Sequence, residues 1–569
     1  FSDIALLSAH TWLLWAAERS SWREVIEASR YVRQASAALV AAQWQRSDKA
    51  NRLKDTQGLA ALGAYAHAKV EDPAGAAEAV ESGLARLLGE SLEATRRDLE
   101  HLPDALGTRL REAMERWSAA MAASGDGASD GRQQHIDRTA VRAERDAAIE
   151  AVRALPGYED FLRSLSFDRI QAQARPDQPL AYLAATERGS VMILVWPDRA
   201  EAILSDLDEA ALNTLMVETD AERQNVTGGY LPAALARSDW LSPALAKLLP
   251  ALGKLLAPLA EKLRAGSARG VVFIPSGRLG LLPLHAARYE VGGQIKHLLD
   301  EFEISYAPSA QSYKEAKSRA ETRTVAPFCL VGVGNPLPVP EGVRPLDFAA
   351  PELSSIVELL PTGSAKPLYE HDATKPALLA ALHGATLAHL SCHGNFALDD
   401  PLDSGLLLGD GTLTLREILD RPEPFAAVRL AVLSACQTSV TDFNNLPDEA
   451  IGLPAGCLQA GVSAVVGTLW SVYDESTALL MTRFYELILN DRQAPCAALR
   501  TAQRWLRELT NADLGEYLVH HQNLMIARQQ ALPQRLSAQL EQALTDKVLR
   551  QPSERPYADP MFWLSLIHI

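Results

Sequence analysis

Apolar residues recur at three- and four-residue steps through the first 165 positions, as around Trp22, Val25, Ile26, Ala28 and Val32. Ala, Leu, Glu and Arg dominate there, and the period predicts helix throughout. Two helix-turn-helix units stand out, at 6–37 and 58–88, the second turning at Asp72-Pro73. Their small packing residues resemble tetratricopeptide repeats, although the units lie about 50 residues apart rather than 34. The region is therefore TPR-like and degenerate, an array of the kind that holds partners in a groove. Residues 84–123 predict one or two helices broken near Pro103, 124–132 (SGDGASDGR) a loop, and 135–155 a further helix.

From Pro179 the pattern turns to β. LAYLAATERGSVMILVWP predicts a hairpin turning at Glu187-Arg188-Gly189. Helices follow at 208–219 and 242–265, then buried strands at 271–274 and 328–334. Helices at 351–360 and 375–383 lead to a strand at 386–391. TLREILD predicts a helix capped by Thr412 or Thr414, and 428–433 a further strand. A polar loop (438–447), a helix (448–460), a strand (464–470) and a long helix (475–490) come next, and MFWLSLIHI closes the chain as a last strand. Alternating strands and helices predict an α/β fold, with a mostly parallel sheet flanked by helices and preceded by the all-α region. The glycines of FCLVGVG lack the GK[ST] of a phosphate loop, which argues against a nucleotide site.

Length and charge narrow the function. The 569 residues allow two or three domains. A net charge of −16 without a basic block argues against direct nucleic-acid binding. Five scattered cysteines, none in a CxxC pair, point to a reduced, cytoplasmic protein with neither a disulfide framework nor a zinc site. No metal or cofactor is expected. The apolar stretch 4–17 is too short to span a bilayer, and no other run approaches 18 apolar residues, so no membrane contact is expected. The chain opens on Phe1 rather than Met, so the sequence is expected to lack its own beginning.

The chemistry gathers in residues 384–441. The two predicted strands there end in Cys392-His393-Gly394 and in Ser434-Ala435-Cys436-Gln437-Thr438. A strand, a crossover helix and a parallel strand bring His393 and Cys436 to one carboxyl edge, where open α/β sheets keep their sites. A cysteine attacks as its thiolate, and a nearby imidazole is the usual means of making one. The spacing, 436 − 393 = 43 residues, is near the roughly 50 known for such a pair.

His393-Gly394, the LSACQT of 433–438, the PLDSGLLL of 401–408, the GTLW of 467–470 and Phe562-Trp563 together resemble the CHAT family of caspase-like peptidases. The resemblance runs from about Pro179 to the end and departs from the family pattern after Trp563. It implies a TPR-like domain over 1–165 and a caspase-like protease domain over 166–569, with halves at about 179–320 and 325–569. It implies a cysteine endopeptidase with Cys436 as nucleophile and His393 as base, and an oxyanion hole from the N–H groups of Gly394 and Cys436. Family members act in bacterial defence and regulated cell death, where a partner switches on proteolysis of a target such as a gasdermin. A protein substrate and a protein activator reaching the helical region are expected accordingly.

Other residues have plainer roles. Cys329, Cys457 and Cys496 lie in apolar segments and read as small buried residues. Cys392, beside the base, reads as a buried strand residue, with a redox liability as the alternative. His389 alternates inside its strand and reads as core, and His383 suits a helix end. In LWSVYDEST, Asp474 is a candidate to receive a basic substrate side chain, although with Glu475 it also fits ordinary helix capping. Asp399, Asp400 and Asp403 are alternatives. A second functional reading is a catalytically idle scaffold for protein–protein interaction. The helical half is expected to meet the protease domain over a limited surface and to be removable without unfolding it.

Overall fold

The structure is a computed structural model that describes residues 2–43, 46–94, 99, 102–122, 138–159, 161–220, 225–236, 238–323, 328–527 and 551–569. Up to residue 171 the described residues form helices and connections, with no strand among them. The helices Ser2–Glu18 and Trp22–Ala42 pair through Leu6, Leu13, Val25 and Val32. Leu59–Lys69 and Pro73–Glu81 form the second unit. Its turn is set locally, because the Asp72 carboxylate accepts from Gly75 N at 2.9 Å while Pro73 opens the helix. The predicted loop 124–132 lies outside the described residues.

Eighteen strands follow among the described residues. The first half has β1 (Leu180–Thr186), β2 (Gly189–Val195), β3 (Ala200–Ser205), β4 (Glu218–Asp220), β5 (Asn225–Gly228), β6 (Gly270–Pro275), β7 (Arg288–Val291), β8 (Gln294–His297) and β9 (Glu303–Tyr306). The second half has β10 (Leu330–Gly334), β11 (Ala365–Tyr369), β12 (Leu387–Ser391), β13 (Gly394–Asn395), β14 (Gly405–Leu408), β15 (Gly411–Thr414), β16 (Leu430–Ser434), β17 (Ala464–Thr468) and β18 (Leu566–His568).

Two main sheets form where the alternation predicts one. The first runs β3-β2-β1-β6-β9 and the second β11-β10-β12-β16-β17-β18. The second is parallel except for its edge strand β18. The first is mixed, because two residues join β1 to β2 and so short a connection permits only an antiparallel pair. Gly189, at φ 122°, begins β2 and occupies a left-handed position that a side chain would strain. The sheets meet edge to edge, with His568 Nδ1 of β18 3.2 Å from Ser305 Oγ of β9.

The apolar helix Leu241–Ala265 covers the first sheet with Leu245, Leu248, Leu252, Leu256 and Leu259, all buried. By length and composition it could cross a membrane, but over half of its most apolar window is buried inside the fold, as in a core helix. The end of the chain divides into a short helix, Pro560–Trp563, capped by Asp559, and then β18, rather than running as a single strand.

The helical half does not merely touch the rest of the chain. Ala61, Ala64, Tyr65, Ala76 and Val80 share one apolar core with Leu180, Tyr182, Val191, Ile193 and Val272. The expected limited surface thus gives way to helices that form one face of the first sheet's core. The buried Glu81 carboxylate accepts from Tyr182 Oη at 2.8 Å, Ala310 N at 2.9 Å and Gln311 N at 3.0 Å. It therefore binds the N-terminus of the helix Ala310–Thr322, where orphan N–H groups attract a carboxylate.

Candidate active site

Strands β12 and β16 are adjacent and parallel, with Ser391 opposite Ser434 as their last paired residues. Each chain then leaves the sheet at the same edge and reaches its candidate two residues later, His393 after β12 and Cys436 after β16. The crossover runs through the small sheet β13-β14-β15 and the helix Leu415–Asp420. Thr414 is the cap of that helix. Its Oγ1 accepts from Glu417 N at 3.2 Å, and Glu417 Oε2 accepts from Thr414 N at 3.0 Å.

Gly394 is the point where the two strand ends touch. A Cβ at this position would stand 2.3 Å from the Cys436 carbonyl oxygen, so only glycine allows the approach. Leu407 N donates to His393 O at 2.9 Å, and Gly394 pairs with Leu406. That is the non-hydrogen-bonded position of an antiparallel ladder, so the Gly394 N–H is not used by the ladder.

Cys436 is followed at once by a sharp turn. Gln437 has φ 57°, a left-handed conformation that costs a non-glycine residue energy unless its surroundings hold it there. Its side chain supplies the hold, donating from Nε2 to Leu235 O at 2.7 Å and so tying the turn to the first half of the fold. Below the turn, Thr468 N donates to Thr438 Oγ1 at 2.9 Å, and Thr468 Oγ1 donates to Ala435 O.

Burial pushes the Cys436 thiol above its ordinary value, opposed by hydrogen bonds from Val472 and Ser471 and reinforced by the Asp474 charge. His393 Nε2 lies 2.8 Å from Arg344 O, and among the described residues His393 and Cys436 share no hydrogen bond. Arg344 belongs to the proline-rich connection 335–348, which is held again where Phe348 N donates to Asp474 Oδ2 at 2.7 Å. Burial and the neighbouring Glu352 and Asp347 raise Asp474 to about 6.

Of the four candidate substrate acids, Asp474 is the one whose charge acts on Cys436. Asp403 and Asp400 instead hold Arg416, at 3.1 and 2.7 Å, and Asp399 lines a cavity of about 620 Å³ with Lys54 and Leu446. Cys392 and Cys457 are buried and pushed to about 12, and Cys496 to about 11. His389 is fully buried, 2.9 Å from Glu352 Oε1 and edge-on to Tyr485. Neither Arg344 nor Glu352 stands out in the sequence. One offers a backbone carbonyl, which no side-chain motif marks, and the other reads as an ordinary polar position of an amphipathic helix.

Two solved structures are similar to this chain at low identity. One is the Saccharomyces cerevisiae separase–securin complex, at TM-score 0.44 and 10% identity over 85% of this chain and 36% of that one. The other is the Arg-specific cysteine proteinase gingipain R, at TM-score 0.31 and 13% identity over 45% of this chain and 60% of that one. The chain thus spans about a third of the first and less than two thirds of the second. No curated protein matches it. A sequence model described as the CHAT domain matches residues 246–569, more than half of the chain, and the protein belongs to that family.

Proposed function

We propose that this chain is a cysteine endopeptidase that cleaves a protein substrate. His393 takes the Cys436 proton, the thiolate adds to the scissile carbonyl carbon, and the C–N bond breaks as the same proton passes to the leaving amine. Water then hydrolyses the thioester. The N–H groups of Gly394 and Cys436 hold the oxyanion. The observation that carries the reading is the shared edge of β12 and β16, with Gly394 packed against the Cys436 carbonyl.

Contacts made by the helical region support control by a protein partner there. The loop after the nucleophile is gripped from that side. Gly58 N donates to Asp448 Oδ2 at 3.2 Å, Ala85 N to Asp448 O at 2.7 Å, and Leu87 N to Glu449 Oε2 at 2.8 Å. A partner that moves these helices moves the loop with them. The five free thiols agree with a reduced cytoplasmic setting, and bacterial defence or programmed cell death is the role the family resemblance suggests.

One observation favours the second reading, an idle scaffold: the His393 imidazole is engaged by the Arg344 carbonyl. Digestion of a complex peptide mixture separates the two. Cleavage by the native chain that is lost in both Cys436→Ala and His393→Ala supports the peptidase. Cleavage that survives Cys436→Ala overturns it.

A further inference from the structure

Behind the two strand ends lies a carboxylate that the chemistry above does not use. Glu352, on the helix Ala349–Glu358, is 2% exposed. Its Oε2 accepts from Ser391 Oγ at 3.0 Å and its Oε1 from Ser434 Oγ at 2.8 Å. His389 Nε2, one strand position pair below, stands 2.9 Å from the same Oε1. Ser391 and Ser434 are register partners, the last of β12 and β16, and each precedes a member of the candidate pair by two residues.

A buried carboxylate is costly unless its oxygens are satisfied, and here the satisfying groups come from both strands at once. Backbone pairing between β12 and β16 ends at these serines. Beyond them the relative placement of His393 and Cys436 depends on what fixes the last paired residues. The same helix follows directly on the connection whose Arg344 carbonyl meets His393 Nε2 and whose Phe348 N–H meets Asp474. One side chain thus ties together both strand ends and the root of the segment that engages the base.

We infer that Glu352 is a positioning residue, whose carboxylate clamps Ser391 and Ser434 so that the His393 imidazole and the Cys436 thiol are held in register. The inference rests on the peptidase reading. It requires that small displacements matter, and displacements of about 1 Å at a catalytic pair cost on the order of 100-fold in rate. A charge effect alone would have the opposite sign, since removing a nearby negative charge eases thiol ionisation.

The test is the rate of Cys436 alkylation by iodoacetamide in the full chain, followed by peptide mass spectrometry with Cys392 and Cys457 as internal controls. Both controls are buried, so their labelling reports loosening of the fold. Glu352→Gln keeps the size of the side chain and is expected to slow Cys436 alkylation about 10-fold or more, with Cys392 and Cys457 still protected. Ser391→Ala combined with Ser434→Ala, which removes only the two hydroxyls, is expected to reproduce the slowing even if Glu352→Gln folds poorly. An unchanged or faster Cys436 rate overturns the clamp, as does a gain of Cys392 and Cys457 reactivity in step with Cys436. His393→Ala is measured alongside. If it leaves the Cys436 rate where it was, the peptidase reading itself has failed and the clamp falls with it.

Discussion

The Cys436 carbonyl oxygen occupies the place where a side chain on residue 394 would begin, with an added Cβ only 2.3 Å away. The contact joins the His393 segment to the Cys436 segment through backbone alone. Gly394→Ala must therefore push the two strand ends apart. Overpacking of this kind costs about 1–3 kcal/mol, a loss that thermal unfolding would read. Peptide cleavage is expected to fall by about 100-fold or more, because the oxyanion donors move with the backbone. Cleavage at the native rate would mean that the close approach has no part in the chemistry.

Glu449 gives a pH dependence with a definite sign. Burial pushes its carboxyl to about 7 from an ordinary 4.5, and its Oε1 has no hydrogen-bond partner among the described residues. A folded-state value above the unfolded one means that the group favours folding below about pH 4.5. That contribution is lost as pH rises through about 7. The span amounts to about 3 kcal/mol at most, at about 1.4 kcal/mol per pH unit. Glu449→Gln cannot ionise, so it is expected to match the native chain near pH 4.5 and to exceed its melting temperature at pH 8. Melting curves at the two pH values check this.

Asp474 carries two predictions of opposite sign. Its charge raises the Cys436 thiol, so Asp474→Asn is expected to speed iodoacetamide labelling of Cys436 several-fold at pH 8. If the same carboxylate receives a basic side chain of the substrate, the variant should lose cleavage after Arg and Lys while labelling rises. The group titrates near 6, so that preference should fade as pH drops below about 6. A cleavage-site profile of the native chain and the variant reads both effects.

The helical half is bound to the first sheet by a shared core and by Glu81. A chain begun at residue 166 would expose Tyr182, Val191 and Ile193, so it is expected to aggregate rather than fold as a free protease domain. Size-exclusion chromatography of that fragment decides between the two outcomes. Glu81→Ala in the full chain leaves the buried Tyr182 hydroxyl and two helix N–H groups unpartnered, and it is expected to lower stability by several kcal/mol.

Much of this fold is legible in the sequence where a local rule dominates. The 3.6-residue period marks the helices, Asp72-Pro73 marks a turn, and the β-rich runs before His393 and Cys436 mark the two strands that prove adjacent. What stays hidden is relational. The hairpin of β1 and β2 is legible, but no local pattern tells that these strands join β6 and β9 in a sheet of their own, or that Ala61 and Val80 pack on Tyr182 some hundred residues later. Gly394 draws notice as part of a motif, but the reason for glycine is a backbone oxygen 42 residues away, since 436 − 394 = 42. Glu352 and the Arg344 carbonyl could not be read at all, because what each does depends on chain that returns from elsewhere.

On the proposed reading Cys436 is a nucleophile served by His393. A set of peptidyl acyloxymethyl ketones varied at the residue next to the warhead tests it most directly, since such probes react only where a thiol and a peptide-binding edge coincide. Peptide mapping of the labelled full chain is expected to find the adduct on Cys436, ahead of Cys329, Cys392, Cys457 and Cys496. His393→Ala is expected to abolish that lead. An adduct that forms first on another cysteine, or one on Cys436 that is indifferent to His393→Ala, would contradict the account.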